Sequence, residues 1–171
     1  MITIGIDPGA AGGIAVWNNG VSKVLKIPKD LSTLQPFFEF YAQMGAIVFL
    51  EKLSVRHDDT EGGKIWRIQK MLAQYERLKA MMEVAHLPYC MVHPMTWQTR
   101  LGLRLHGQKE PRESRKVRYK IIAEKWYPNT RVTMWNADAL LIMRFGLWVQ
   151  QADKKWLQAN LPKAAKEIFD K

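Results

Sequence analysis

The sequence predicts an α/β fold: a mixed sheet of three antiparallel strands followed by parallel strands, flanked by helices. Three stretches carry this reading. Ile2, Ile4 and Ile6 alternate with small or polar residues, and a turn rich in Gly and Ala leads to a second strand from about Ile14. Trp17-Asn18-Asn19-Gly20 has hairpin-turn chemistry, so Val21 to Ile27 returns as a third strand. Ala46 to Leu50, AIVFL, is a continuous apolar run of strand length, which suits a strand buried on both faces.

The remaining elements follow in order. Pro28 stops the third strand, and Leu31 to Met44 reads as a helix with Ser32 as its cap and Leu34, Phe37, Phe38 and Tyr41 on one face. Glu51 closes the AIVFL strand at the carboxyl edge of the sheet, where open α/β folds place their sites; a solvent-facing strand-end Glu is the competing reading. Val55 to Gly63 is polar and ends in Gly, hence a loop, with His57, Asp58 and Asp59 as solvated groups in preference to a ligand cluster.

Lys64 to His86 is the longest helical pattern, with apolar residues from Ile65 to Ala85 at intervals of three and four. Met71 and Met81 widen its stripe beyond what one sheet face needs, enough for a second subunit to dock. Tyr89 to Val92 is a further strand, and Thr96 caps a short helix bearing Trp97. Ser114 starts another helix with Val117, Ile121 and Trp126 inward. Asn136 caps an apolar helix whose first turn holds Asp138, favoured there by the helix dipole. The division is a domain over 1–150 and a helical extension over 151–171.

Composition narrows the function. At 171 residues the chain is most simply one domain. The N-terminal stretch has no basic n-region, no apolar run approaches the ~20 residues that span a bilayer, and a single cysteine, Cys90, suits a reducing intracellular setting. Net charge is +10, and the segment from Arg100 to Lys120 holds eight basic residues (Arg100, Arg104, Lys109, Arg112, Arg115, Lys116, Arg118 and Lys120) against Glu110 and Glu113. Such a local excess is the footprint of a polyanion, because phosphate contacts release counterions.

Asp7 sits on the first strand, among Gly5, Gly9, Gly12 and Gly13, which would let a phosphate or metal approach the main chain. If the first strand lies beside the AIVFL strand, Asp7, Glu51 and Asp138 can converge. Clustered carboxylates repel one another and are stabilised by divalent cations; an oxygen-only donor set points to Mg²⁺ or Mn²⁺. The motif Asp-x-Gly-x-x-Gly-Gly also resembles the first phosphate loop of the actin, hexokinase and chaperone ATPases, which share a ribonuclease-H-like sheet. Those proteins need a second such domain and a second Gly-rich phosphate motif, and this chain has neither.

IGIDPGAAGGIAV, VFLEKLSV, YCMVHPMTWQTRLGL, SRKVRYKIIAEKWYP and NADALLIMRFG together resemble, in order over residues 1–148, the RuvC-type Holliday junction resolvases, especially phage-type members. The resemblance implies a ribonuclease-H-like fold, a homodimer, and Mg²⁺-dependent (or Mn²⁺-dependent) paired nicking of four-way DNA junctions in the cytoplasm of a bacterium or an infected cell, with two ions per site. It implies Asp7, Glu51 and Asp138 as catalytic, metal-binding acids. It also implies DNA contacts from Arg115, Lys116, Arg118 and Lys120, Lys116 foremost, with Arg100 and Arg104 in the same basic run. The family usually carries another acid, or a His, three or four residues before Asp138; here Met134 and Trp135 stand there, and Asn136 is a neutral, poorer ligand. A junction-binding protein that cuts weakly or not at all is the alternative.

Overall fold

The computed structural model describes residues 1–9, 12–53, 65–104 and 110–161. Five strands form one sheet: β1 (Ile2–Ile6), β2 (Gly13–Asn18), β3 (Val21–Lys26), β4 (Ile47–Glu51) and β5 (Tyr89–Val92), in spatial order β3-β2-β1-β4-β5. β1, β2 and β3 are antiparallel neighbours, and β1, β4 and β5 run parallel. This is the predicted mixed sheet. β1 is central and buried along its whole length.

Helices cover both faces. α1 (Gln35–Gln43), preceded by a 3₁₀ turn at Leu31–Leu34, and α2 (Ile65–Val84) lie on one face. Their Leu34, Phe38, Tyr75, Leu78 and Met82 form a core with Ile2, Ile4, Ile6, Val48 and Leu50. α3 (Pro94–Arg100), α4 (Arg112–Trp126), α5 (Ala137–Ala152) and α6 (Lys154–Asn160) belong to the opposite face, where Phe145, Tyr119 and Leu157 share a core with Ile47 and Phe49. Among the described residues no helix is long and apolar enough to cross a membrane.

Strand parity now sets the site. Even-numbered residues of β1 point to α1 and α2, so Thr3 and Gly5 point to α5. Gln150 of α5 accordingly donates from Nε2 to Thr3 Oγ1 at 2.7 Å. In β4, Val48 and Leu50 join the first core and Ile47 and Phe49 the second, which leaves Glu51 on the α5 face. α5 lies close enough to β4 that Gly146 sits directly against the Phe49 ring.

Several local expectations are corrected. Asp30, not Ser32, caps the 3₁₀ turn, its carboxylate accepting from the Ser32 N–H at 3.0 Å. His93 rather than Thr96 caps α3, with Nδ1 accepting from the Met95 N–H at 3.2 Å. α4 starts two residues before Ser114, and Tyr119 and Ala123 are its buried residues, with Trp126 half-buried. Val117 and Ile121 are outside, 49% and 59% exposed. The edge-on contact of Tyr119 with Trp97 fixes that phase, with ring centroids 5.6 Å apart.

Asn136 occupies the cap position of α5 but makes no capping bond with its side chain. α5 runs past residue 150 to Ala152, and α6 follows after Asp153, which caps it; Leu157 and Leu161 enter the α5-side core. The loop over 55–63 with His57, Asp58 and Asp59, and the end of the chain from 162, lie outside the described residues.

Candidate active site

Asp7 follows directly on β1 and continues its parity toward α5. Its N–H donates to Gly13 O at 3.0 Å, and its Oδ1 accepts from the Gly9 N–H at 3.0 Å. The glycines around it serve the chain's own packing more than ligand access, which corrects the clearance expected of them. A Cβ on Gly12 would strike the Asp7 carbonyl, one on Gly13 the Trp135 ring, and one on Gly5 the backbone of α5. Of these four, Gly9 is the one whose Cβ would meet the carboxylate itself.

The register Ile6↔Leu50 sets the end of β4 beside the end of β1, so Glu51 and Asp7 are neighbours across parallel strands. α5 presents Asp138 from its first turn above them. The three acids named from sequence therefore face one another at the carboxyl edge of β1 and β4. Their electrostatics record it. Burial, followed by the charge of Asp138, raises Asp7 to about 6 against the opposing Gly9 N–H, Lys116 and Arg112. Burial and the charge of Asp7 raise Glu51 to about 8, while a hydrogen bond from Trp97 works the other way. Asp138 is raised by burial and held down by Lys116, Arg115 and Arg112.

The compensation is thin. Lys116 Nζ lies 3.5 Å from Asp138 Oδ2, a long ion pair. Burying like charges together is unfavourable without a counterion, so this site has the charge and the hard oxygen donors that suit Mg²⁺ or Mn²⁺. Among the described residues, however, no three His, Cys, Asp or Glu side chains stand close enough to enclose an ion as they are placed. The donor chemistry fits a divalent cation, and Asp7, Glu51 and Asp138 are the residues that would hold it.

The basic residues divide by use. Lys116, Arg115 and Arg112 line the acid side of α4 and act on Asp138. Arg118 does not belong with them, although its sequence position suggested a DNA contact. Its Nε and Nη2 donate to Glu110 Oε1 and Oε2 at 2.8 and 2.7 Å, and Nη2 also donates to Leu103 O at 2.8 Å. A fork so engaged ties residues 103 and 110 together through Nε and Nη2 and leaves Nη1 for any further contact. Lys120 is paired with Glu124 at 2.7 Å on the helix surface. Arg100 lies over the Trp148 ring and 3.9 Å from Asp153, and Arg104 is exposed just past α3.

Nor does Asn136 replace the absent acid. It is fully buried, its Oδ1 accepting from the Thr133 N–H at 2.7 Å and its Nδ2 donating to Arg131 O at 3.0 Å. Both ends of the amide are spent on the turn before α5. One residue at the site escaped the sequence reading: Trp97, whose Nε1–H donates to Glu51 Oε2 at 2.8 Å. The available signal was positional, since β5 neighbours β4 and Trp97 lies just past its carboxyl end.

A mixed sheet with its first strand central and carboxylates at the carboxyl edge defines a ribonuclease-H-like class of fold. No protein-family model and no curated protein matches the sequence. Solved structures do. The Thermus thermophilus RuvC structure is similar at a TM-score of 0.54 and 16% identity, covering 88% of this chain and 96% of that one. T. thermophilus RuvC in complex with Holliday junction substrate is similar at a TM-score of 0.55 and 14% identity, covering 90% and 97%. The chain thus has the RuvC fold.

Proposed function

We propose that this protein is a structure-selective DNA endonuclease that resolves four-way junctions by paired phosphodiester hydrolysis, using Mg²⁺ or Mn²⁺ held by Asp7, Glu51 and Asp138. The observation that carries the proposal is the placement of three carboxylates, Asp7 just past β1, Glu51 ending β4 and Asp138 in the first turn of α5, at one sheet edge, with Lys116 of the basic helix α4 3.5 Å from Asp138. The similarity to a RuvC bound to junction DNA supports the substrate. In this reading the protein is a phage-type member acting in a bacterial or phage-infected cytoplasm.

When bound, divalent cations supply an activated water and stabilise the leaving oxygen. The chain's own residues do the rest. Asp7, fixed by Gly9 and by the centre of the sheet, holds the reference position between the other two acids. Lys116, Arg115 and Arg112 would receive the phosphate backbone, Lys116 being the cation that also faces Asp138. Cleavage of a synthetic four-way junction in Mg²⁺ and in Mn²⁺ is the test. With one usual acid replaced by Met134 and Trp135, we expect slow cleavage that is faster in Mn²⁺, which tolerates looser geometry. Rapid cutting in low Mg²⁺ would show the site to be complete as it stands. No cutting with either ion, alongside tight junction binding, would leave the second reading, a junction-binding protein without nuclease activity. The engaged Asn136 side chain favours that reading.

Binding is expected to fall steeply with salt. Replacing Arg112 and Arg115 by Ala should flatten the slope of log affinity against log salt by roughly one unit per lost phosphate contact. Arg118→Ala should instead lower the melting temperature and change that slope less, because Nε and Nη2 of Arg118 are bonded to Glu110 and Leu103. Equal slopes for the parent and the Arg112/Arg115 variant would take this face of α4 out of the interface.

Two strands need two sites, so the proposal includes a homodimer. α2 offers the surface: Trp66 is 76% exposed, Ile65 is exposed beside it, and Ile68, Met71 and Leu72 are only partly covered. Sedimentation should give a dimer that Trp66→Glu converts to monomer; a parent that sediments as a monomer with and without DNA contradicts it.

A further inference from the structure

Of the two oxygens of the Glu51 carboxylate, one already has a partner. Trp97 Nε1–H donates to Oε2 at 2.8 Å. Indole is a donor only and keeps its proton across the working pH range, so this bond cannot reverse or titrate away. The ring cannot easily leave. Trp97 is 1% exposed, and its ring packs edge-on with that of the buried Tyr119, centroids 5.6 Å apart. Tyr119 lies on α4 one turn after Lys116, so the packing that holds the indole also sets the helix that carries the cation facing Asp138. Lys116 differs in kind: a point charge on a flexible stem, 30% exposed and free to move aside.

We propose that Trp97 is a positioning residue for the candidate metal site: by holding Glu51 Oε2 it fixes the orientation in which the Glu51 carboxylate would meet a divalent cation. The inference rests on the metal-dependent reading above, and adds to it what orients Glu51. A carboxylate at a strand end otherwise turns about its side-chain torsions, and ordering it falls to the cation; the indole orders it beforehand. Partners that orient a metal ligand in this way typically contribute ~10–100-fold in affinity. A tryptophan present only to fill the core would contribute nothing there.

The test removes the donor and keeps the shape. Trp97 is replaced site-specifically by 3-benzothienylalanine, in which sulfur stands for the indole N–H, and Trp97→Phe is made as a second variant. Each is also made in a Glu51→Gln background. Mn²⁺ affinity is read without DNA from the free-Mn²⁺ electron paramagnetic resonance signal, together with melting temperature and junction binding in EDTA. We expect the benzothienyl protein to melt near the parent and bind junctions in EDTA as the parent does. It should lose ~10-fold or more in Mn²⁺ affinity. In the Glu51→Gln background the same replacement should change Mn²⁺ affinity by no more than about twofold, because the group it acts through is gone. Trp97→Phe should show the same dependence on Glu51 even if its stability falls. Unchanged Mn²⁺ affinity, or an equal loss in both backgrounds, would overturn the positioning role while leaving the metal reading intact. A parent that binds no Mn²⁺ would overturn both.

Discussion

Asp7→Asn should abolish junction cleavage, leave junction binding in EDTA close to the parent's, and make the metal-free protein more stable at alkaline pH. The first two effects follow from position. Asp7 lies at the end of the central strand with both other acids around it, so Asn keeps the shape and the Gly9 contact while removing the charge that a cation needs. The third follows from linkage. Burial and Asp138 raise the folded Asp7 to about 6, above its ordinary value of 3.8. A carboxyl raised in the fold binds protons more tightly there than in the unfolded chain. Below about pH 4 it is protonated in both states and costs nothing; through the window from about 4 to 6 stability is progressively lost, and above 6 the full penalty stands. Asn carries no such penalty. The variant should therefore melt higher than the parent at pH 8 without metal, with little difference at pH 4, and saturating Mn²⁺ should narrow or reverse the gap at pH 8. Such a gain in stability with loss of activity is the pattern of a group kept for chemistry. A variant that cuts like the parent would end the active-site assignment, and one that is less stable at pH 8 would mean that Asp7 is compensated by something other than a cation.

The parts of this site that were legible in the sequence are those fixed by periodicity. The alternation Ile2, Ile4, Ile6 commits Asp7 to the other face of the sheet, and the run Ile47 to Leu50 delivers Glu51 to a strand end. Asp138 is legible as an acid opening an apolar helix. What sequence could not supply is the use of each charge. Arg118 and Lys116 lie two residues apart on one helix, about 200° around its axis, so one turns to Glu110 and the other to Asp138. Counting both as one basic run hides that division. The phase of α4 failed for a similar reason: Val117 and Ile121 are the more apolar pair, but the contact between Trp97 and Tyr119 decides which side faces in. Caps depend on a choice among near neighbours, Asp30 against Ser32 or His93 against Thr96, and backbone geometry makes that choice. Trp97 was visible only as an aromatic, since a partner 46 residues away leaves no local pattern.

Gly5→Ala is expected to be severely damaging for a single added methyl. Gly5 lies in β1 on the parity that faces α5, two residues before Asp7. An ideal Cβ there would stand 2.3 Å from Met143 N, 2.4 Å from Ala139 O and 2.8 Å from Met143 Cα. All three are backbone atoms of α5, so no rotamer change relieves the clash and the helix itself must move off the sheet. Overpacking a core typically costs ~1–3 kcal/mol when side chains can yield, and a backbone clash belongs at or above the top of that range. Ala139 is next to Asp138, so any displacement that admits the methyl also draws Asp138 away from Asp7. Folding and metal binding should therefore fail together. Gly146→Ala provides the graded comparison, since its Cβ would meet Phe49 ring carbons at 2.3 to 2.9 Å, and a ring can shift where a helix backbone cannot. Gly45→Ala is milder again, with open space around it and only a φ of +68° to strain, a cost of roughly 1–2 kcal/mol. Urea unfolding of the three variants should rank them Gly5, Gly146, Gly45 in order of decreasing loss, and Mn²⁺ affinity should be weakened most in whatever fraction of Gly5→Ala remains folded. A Gly5→Ala protein with stability and Mn²⁺ affinity near the parent's would mean that β1 and α5 do not meet at this distance. The mutual placement of Asp7 and Asp138 would then have to be sought in a different arrangement of the two elements.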